Sequence, residues 1–422
     1  MTSARSLVKS ALVAGAAALA GASGCEAVRA GANPELPLWM HRPSGSLSVV
    51  YSRSVLAPAR SASEPYERGQ PEIDVGGRRI FVGSSDRGLY AIRAEDGSVL
   101  WRFETVGFVQ CEPLYDPGED AVYFGSNDGA LYKVDAKNGK LHWRFSTRAE
   151  VARRPVLSGG ILYFSNANDT VLAVDPKDGR MLWYQHRSPA LGMEVAGYAG
   201  PLVWRDKVYA GFSDGTVTAF DAKTGVERWQ PVDLSAEAEQ TLGEVPQYLD
   251  VDTTPVADLL DVGPVVHVGS YQGGVFALDA ETGTQVWANP AVIGVSELVL
   301  WQEPARQPAA NDRDAPPRPA RKLLLAATGT SGLWALDPET GREVWRQALP
   351  AGGVSAPVPV LGALLVSTTQ LGIFLLSPID GSPIDGLHLT DGSSVTPAAH
   401  GRRAFAITNA GNLLSLHVAP PI

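Results

Sequence analysis

The chain has 422 residues with a formal net charge of −10, 45% hydrophobic and 19% charged residues. That is enough apolar material for a substantial core, and the acidic balance argues against nucleic acid, which needs a basic footprint. Forty-four Gly and 31 Pro call for many turns, as an all-β chain requires.

Residues 1–24 read as a signal peptide. Arg5 and Lys9 form a positive start, and Ala11 to Gly21 is an apolar run too short to span a bilayer as a helix. The run ends at Ala22-Ser23-Gly24-Cys25, which resembles a bacterial lipobox with Cys25 as the acylated residue. Residues 25–36 then form a lipidated linker, and Glu26 after the Cys favours the outer membrane by the same resemblance. With Cys25 lipidated, Cys111 is left as a lone, buried structural thiol.

From residue 37 onward a repeat governs the chain. Near the N-terminus, Pro37 to His41 reads as an outer strand carrying Trp39 with no motif before it. Seven segments follow: Leu89 to Gly97 with Trp101, Leu131 to Gly139 with Trp143, Val171 to Gly179 with Trp183, Val217 to Gly225 with Trp229, Val275 to Gly283 with Trp287, Leu333 to Gly341 with Trp345, and Ile373 to Gly381 with Asp385 in the Trp place. Successive tryptophans lie 42, 40, 46, 58 and 58 residues apart, the length of a four-stranded propeller blade. In each copy apolar residues alternate, as in a half-buried strand. Asp135, Asp175, Asp221, Asp279 and Asp337 start a tight turn by accepting backbone N–H groups, and a Gly closes it. The Trp follows on the outermost strand, where a large ring can pack on the neighbouring blade. In the seventh copy Ser377 replaces the Asp and Asp385 the Trp, and weaker docking is expected there.

Residues 303–322 interrupt the period with a Pro-rich, charged stretch, read as a flexible loop between two strands of the sixth blade. Residues 395–418 supply three strands and then stop, so the Trp39 strand is expected to complete them. The expected fold is all-β: an eight-bladed propeller of four-stranded antiparallel blades over 37–422, with N- and C-terminal strands sharing the last blade.

Chemistry-bearing motifs are missing. The seven His are scattered without ligand spacing, so no metal site is expected, and there is no nucleophile elbow, P-loop or dinucleotide fingerprint.

The repeat resembles the PQQ-type propeller repeat across essentially the whole mature chain. That family holds quinoprotein dehydrogenases, which carry an adjacent cysteine pair and a calcium site beside a catalytic Asp, and relatives without cofactor. This chain has no Cys-Cys pair, so the resemblance does not imply the cofactor. A more specific resemblance is to the BamB family of outer-membrane assembly lipoproteins. It rests on Leu38-Trp39 followed by Ser44-Gly45-Ser46, and above all on Asp250-Val251-Asp252-Thr253-Thr254-Pro255-Val256 opening a central blade. The resemblance implies partner contacts at Asp250, Asp252 and Thr253, and at Met193 and Val195 one blade earlier. There the family's Arg is replaced by Ala196. The partner it implies is the POTRA region of the BamA-type subunit, and unfolded outer-membrane proteins could add at blade edges. The structural alternative for Asp250 and Asp252 is a turn cap on the following strand, or a calcium site from the same pair. Two other functions stay open. One is a PQQ-dependent dehydrogenase using a central cavity, and the other an envelope propeller that binds another protein or a glycan. The leading expectation is a non-enzymatic, cofactor-free, monomeric scaffold, lipid-anchored on the periplasmic side of the outer membrane.

Overall fold

The computed structural model describes residues 44–56, 66–188, 199–234, 250–304, 320–349 and 352–420. Cys25, Trp39, Met193 and Val195, with residues 1–36, lie outside them. The described residues contain no helix and form eight four-stranded antiparallel sheets.

Blades 1 to 7 each take four consecutive strands, beginning at Pro71–Ile73, Leu114–Asp116, Val156–Ser158, Leu202–Trp204, Val256–Leu260, Val295–Glu303 and Val358–Val360. Within each blade the two middle strands are buried on both faces, as in Ala121–Ser126 and Ala130–Asp135, and so read as continuous apolar runs. The outer strand alternates, as in Leu141–Ser146, where Trp143 is buried and His142 and Arg144 are exposed.

The core lies between blades. Eight clusters of buried side chains each join two neighbours, for example Phe81, Leu89 and Ala91 of blade 1 with Val122, Phe124 and Tyr132 of blade 2. The eighth joins Phe405 and Ile407 of blade 8 to Ile80 and Val82 of blade 1, which closes the ring.

The repeat turn behaves as its sequence requires. Asp221 Oδ1 accepts N–H bonds from Lys223 and Thr224, and Asp279 does the same with Glu281 and Thr282. The glycine has a second role. A Cβ on Gly179 (φ +73°) would lie 2.8 Å from Cε3 of Trp143, because that ring lies flat on the next blade's turn. Trp143 Nε1 then donates to Pro176 O of the same turn at 3.0 Å. Trp101, Trp183, Trp287 and Trp345 make the equivalent bond, to Ala136, Ala222, Pro338 and Pro378. Trp229 keeps the stacking, on Gly283, but its Nε1 has no partner among the described residues. After Trp229 the strand is interrupted by Pro231 and resumes only as Val232–Asp233.

Blade 8 departs from the expectation in one respect. Its outer strand is Leu47–Ser54, paired with Asn412–Val418, and not Pro37–His41. Tyr51 makes a docking contact of the kind expected of Trp39, which lies outside the described residues. Its hydroxyl donates to Ala94 O at 2.8 Å, and its ring lies against Gly97 with the stem of Arg53. Asp385 of blade 7 fixes the Leu47 end, and the pairing with Asn412–Val418 then places Tyr51 over the turn.

Asp385 supplies that fixation. Blade 8 has no chain-continuous turn for a Trp to cover, since its third strand ends at Val418. Asp385 is 1% exposed, and its Oδ2 accepts Leu47 N at 2.9 Å and Ser44 Oγ at 3.1 Å. The carboxylate therefore caps the entering strand, and this joint carries a buried charged acceptor where weak docking was expected.

The Pro-rich stretch sits in blade 6. Val295–Glu303 and Arg321–Thr328 pair antiparallel, with Glu303 opposite Arg321, so strand extends into both ends of the 303–322 segment. Residues 305–319 lie outside the described residues.

Candidate functional site

The innermost strands all begin at one end of the ring. Antiparallel alternation then puts the connections between blades on that face, and the Asp–Gly repeat turns and the blade 6 hairpin end on the opposite face. On the first face lies a central cavity of about 620 Å³, lined by residues of blades 1, 2, 3, 5, 6, 7 and 8.

Its chemistry comes from the residues just before the innermost strands. Arg153, entering blade 3, reaches across the hub. Its Nη1 lies 2.7 Å from Glu297 Oε1 of blade 6, and its Nη2 donates to the backbone O of Asp252, entering blade 5, at 2.8 Å. Arg154 lies beside it, with Nη2 2.8 Å from Glu72 of blade 1 and Nε 2.9 Å from Glu112 of blade 2. Glu112 is 32% accessible because the cavity reaches it, yet it lies deep among protein atoms. That burial raises its pKa to about 7, with Arg154 pulling down and Glu72 and Glu297 pushing up. Cys111 is fully buried, with Sγ 3.1 Å from Glu112 O and Arg153 O; desolvation pushes its thiol up to about 12, consistent with a structural role.

The Asp250–Val256 segment is the entry to blade 5, and it is part of the wall. Asp250 is 3% exposed, and its backbone O accepts Tyr271 N at 3.2 Å. Val251 is buried against Gly211. Thr253 is 0% exposed: its Oγ1 accepts Gly269 N at 2.8 Å and donates to Gly269 O at 3.1 Å. Thr254 lines the cavity, and its Oγ1 accepts Gly200 N, from the connection entering blade 4, at 3.2 Å. Asp252 is half-buried. Burial, then its hydrogen bond to Asp250 and that residue's charge, raise its carboxyl to about 8; Arg153 opposes the shift and Glu297 adds to it. Asp250 Oδ1 and Asp252 Oδ1 have no hydrogen-bond partner among the described residues.

Asp250, Asp252 and Thr253 thus come together, but as a braced connection, not as a solvated loop. Sequence reasoning missed Arg153, Arg154, Glu112, Glu72 and Glu297. The adjacent pair Arg153-Arg154 before a blade-opening Pro155 was the one visible signal. Among the described residues no group of three or more His, Cys, Asp or Glu could hold a metal ion, and Cys111 is the free cysteine.

The sequence matches the family profile described as "Outer membrane protein assembly factor BamB" over residues 50–119, 117–304 and 296–419. It is 27% identical over 235 residues to an outer membrane protein assembly factor BamB of Legionella pneumophila (strain Paris), covering 56% of this chain and 54% of that protein. It is 30% identical over 287 residues to the quinohemoprotein alcohol dehydrogenase ADH-IIG of Pseudomonas putida, covering 55% of this chain and 36% of that protein. The chain thus spans about half the length of the first relative and about a third of the second. The crystal structure of BamB from Moraxella catarrhalis superposes with a TM-score of 0.65 at 16% identity, covering 88% of this chain and 99% of that one, which is a likeness of fold.

Proposed function

The chain belongs to the family of the outer membrane protein assembly factor BamB, and from that premise we propose that it is a non-enzymatic scaffold of the outer-membrane β-barrel assembly complex. In this reading the propeller is held by a lipid on Cys25 at the periplasmic side of the outer membrane. Its cavity face binds the POTRA domains of the BamA-type subunit. Asp252 and the Met193–Val195 segment make the contact, while Asp250 and Thr253 hold Asp252 in place.

The observation that carries the reading is the bond from Gly200 N to Thr254 Oγ1. It joins the end of the connection that contains Met193 and Val195 to the connection that contains Asp250 and Asp252, although 54 residues separate them. The described end of the first connection, Gly200, therefore meets the second connection on the cavity face, which supports a single docking surface there.

Binding of the purified protein to the POTRA domains of its own species, measured by calorimetry, tests this. Wild type is expected to bind, and Asp252→Arg to weaken binding by about tenfold or more, since it reverses a charge at a part-buried contact. Wild type that does not bind overturns the proposal. A variant that binds like wild type overturns the site assignment alone.

The similarity to quinohemoprotein dehydrogenases favours a second reading, an enzyme using the same cavity. Dye reduction on addition of PQQ, calcium and an alcohol would establish it and displace the first.

A further inference from the structure

We propose that Asp250, Asp252, Arg153 and Glu297 form a proton-controlled clamp beside the hub cavity. With one proton held between the two carboxyl groups, Arg153 pins the Asp252 backbone and Glu297 together; loss of that proton sets the two carboxylates against each other, which loosens the 250–256 connection, and draws Arg153 off Glu297, which unties blade 6 from it.

The geometry has three parts. First, Arg153 is the strut. It comes from blade 3, 99 residues from Asp252 and 144 from Glu297, and its two terminal nitrogens are split between blades 5 and 6. Blades 5 and 6 also pack on each other here, where Val295 and Thr253 both crowd Gly269, so what the guanidinium adds is a tie from these two blades across the hub to blade 3. Second, Asp250 is buried and Asp252 half-buried beside it, each with one oxygen lacking a partner among the described residues. Two carboxylates in such a place cannot both stay charged at little cost, and a shared proton removes the repulsion. Third, the charges facing Asp252 are Asp250, Arg153 and Glu297. Holding the proton leaves one cation against two anions. Releasing it leaves the same cation against three, and the new carboxylate competes with Glu297 for Arg153.

The direction of the pH effect follows from the raised carboxyl. A carboxyl whose folded-state pKa lies above its unfolded value stabilises the fold fully below that unfolded value of 3.8, and the contribution is lost as the pH rises through about 8. Glu112, which faces Arg154, Glu72 and Glu297, titrates nearby at about 7. Its own charged neighbours are unchanged in Asp252→Asn, so the difference between that variant and wild type isolates the clamp.

The test is thermal unfolding of the full chain and of Asp252→Asn from pH 5 to pH 9, with hydrogen exchange of the 250–256 segment corrected for the intrinsic rate. Asn mimics the protonated acid and removes the titration. The Tm of Asp252→Asn is expected to gain about 2 °C or more on wild type between pH 5 and pH 9. Over the same range the segment should lose protection in wild type alone. Parallel Tm curves, or equal protection in both proteins, overturn the clamp. Arg153→Gln and Glu297→Gln give the same answer should Asp252→Asn not fold. Removing the cation should move the wild-type transition to higher pH, and removing the anion should move it lower; a transition that stays in place in both variants also overturns it. The clamp does not depend on what docks at this face, so its failure would leave the docking proposal standing.

Discussion

At the scale of single residues, the joints of the ring depend on what each side chain has to cover. Trp143 lies on Gly179 because the next blade presents a turn there, and any Cβ at that glycine would meet the ring at 2.8 Å. Asp385 faces no such turn. It faces the free N–H of Leu47 at the start of the closing strand, and a buried carboxylate is the side chain that can accept it. The repeat consensus is therefore wrong for this one position. Asp385→Trp, which restores the consensus, should destabilise the protein by about 2–5 kcal/mol, through an unsatisfied buried N–H and an overfilled joint. Urea unfolding measures this, and an unchanged midpoint would show that the carboxylate is dispensable. Tyr51 is the matching lesson. It bonds Ala94 O as the tryptophans bond the same position of other turns, yet nothing in a Trp-based motif marks it.

At the scale of elements, the strands were legible because their two environments leave different patterns. Middle strands such as Arg321–Thr328 are buried on both faces and read as unbroken apolar runs, while outer strands such as Leu141–Ser146 alternate. The closing strand Leu47–Ser54 was harder. It is mostly exposed, has no Trp, and carries a register shift between Val49 and Tyr51, so Leu38-Trp39 drew the assignment instead. The blade 6 hairpin is continuous up to the facing pair Glu303 and Arg321. Its pairing does not need the intervening Pro-rich residues. Replacing 304–320 with Asn-Gly, the residues that favour a two-residue hairpin, should change stability by roughly 1 kcal/mol or less. A large loss in a thermal melt would mean that the segment packs on the ring.

At the scale of the whole molecule, stability is shared among eight interfaces of similar make-up, and the ring holds only if the last one closes. Leu47 belongs to the cluster between blades 7 and 8, and Tyr51 packs on the one between blades 8 and 1. Removing residues 1–54 would strip both, leave Asp385 Oδ2 without Leu47 N and Ser44 Oγ and expose the edge of Asn412–Val418. The expected loss is on the order of 5 kcal/mol, with self-association seen by light scattering. A monomer with an unchanged melt would show that the ring closes without this strand.

The sequence by itself determined the fold class, the blade count, the repeat turns and the family, because these rest on short-range periodicity repeated along the chain. Only the tertiary structure decided that Asp250 and Thr253 are built into a wall, that Leu47–Ser54 closes the ring, and that Arg153 spans the hub to Asp252 and Glu297. Those contacts join residues 99 and 144 positions apart, pair strands from opposite ends of the chain, or bury a segment under its neighbours. Each occurs once, so it leaves no period to read, and its partners meet only when the ring has closed.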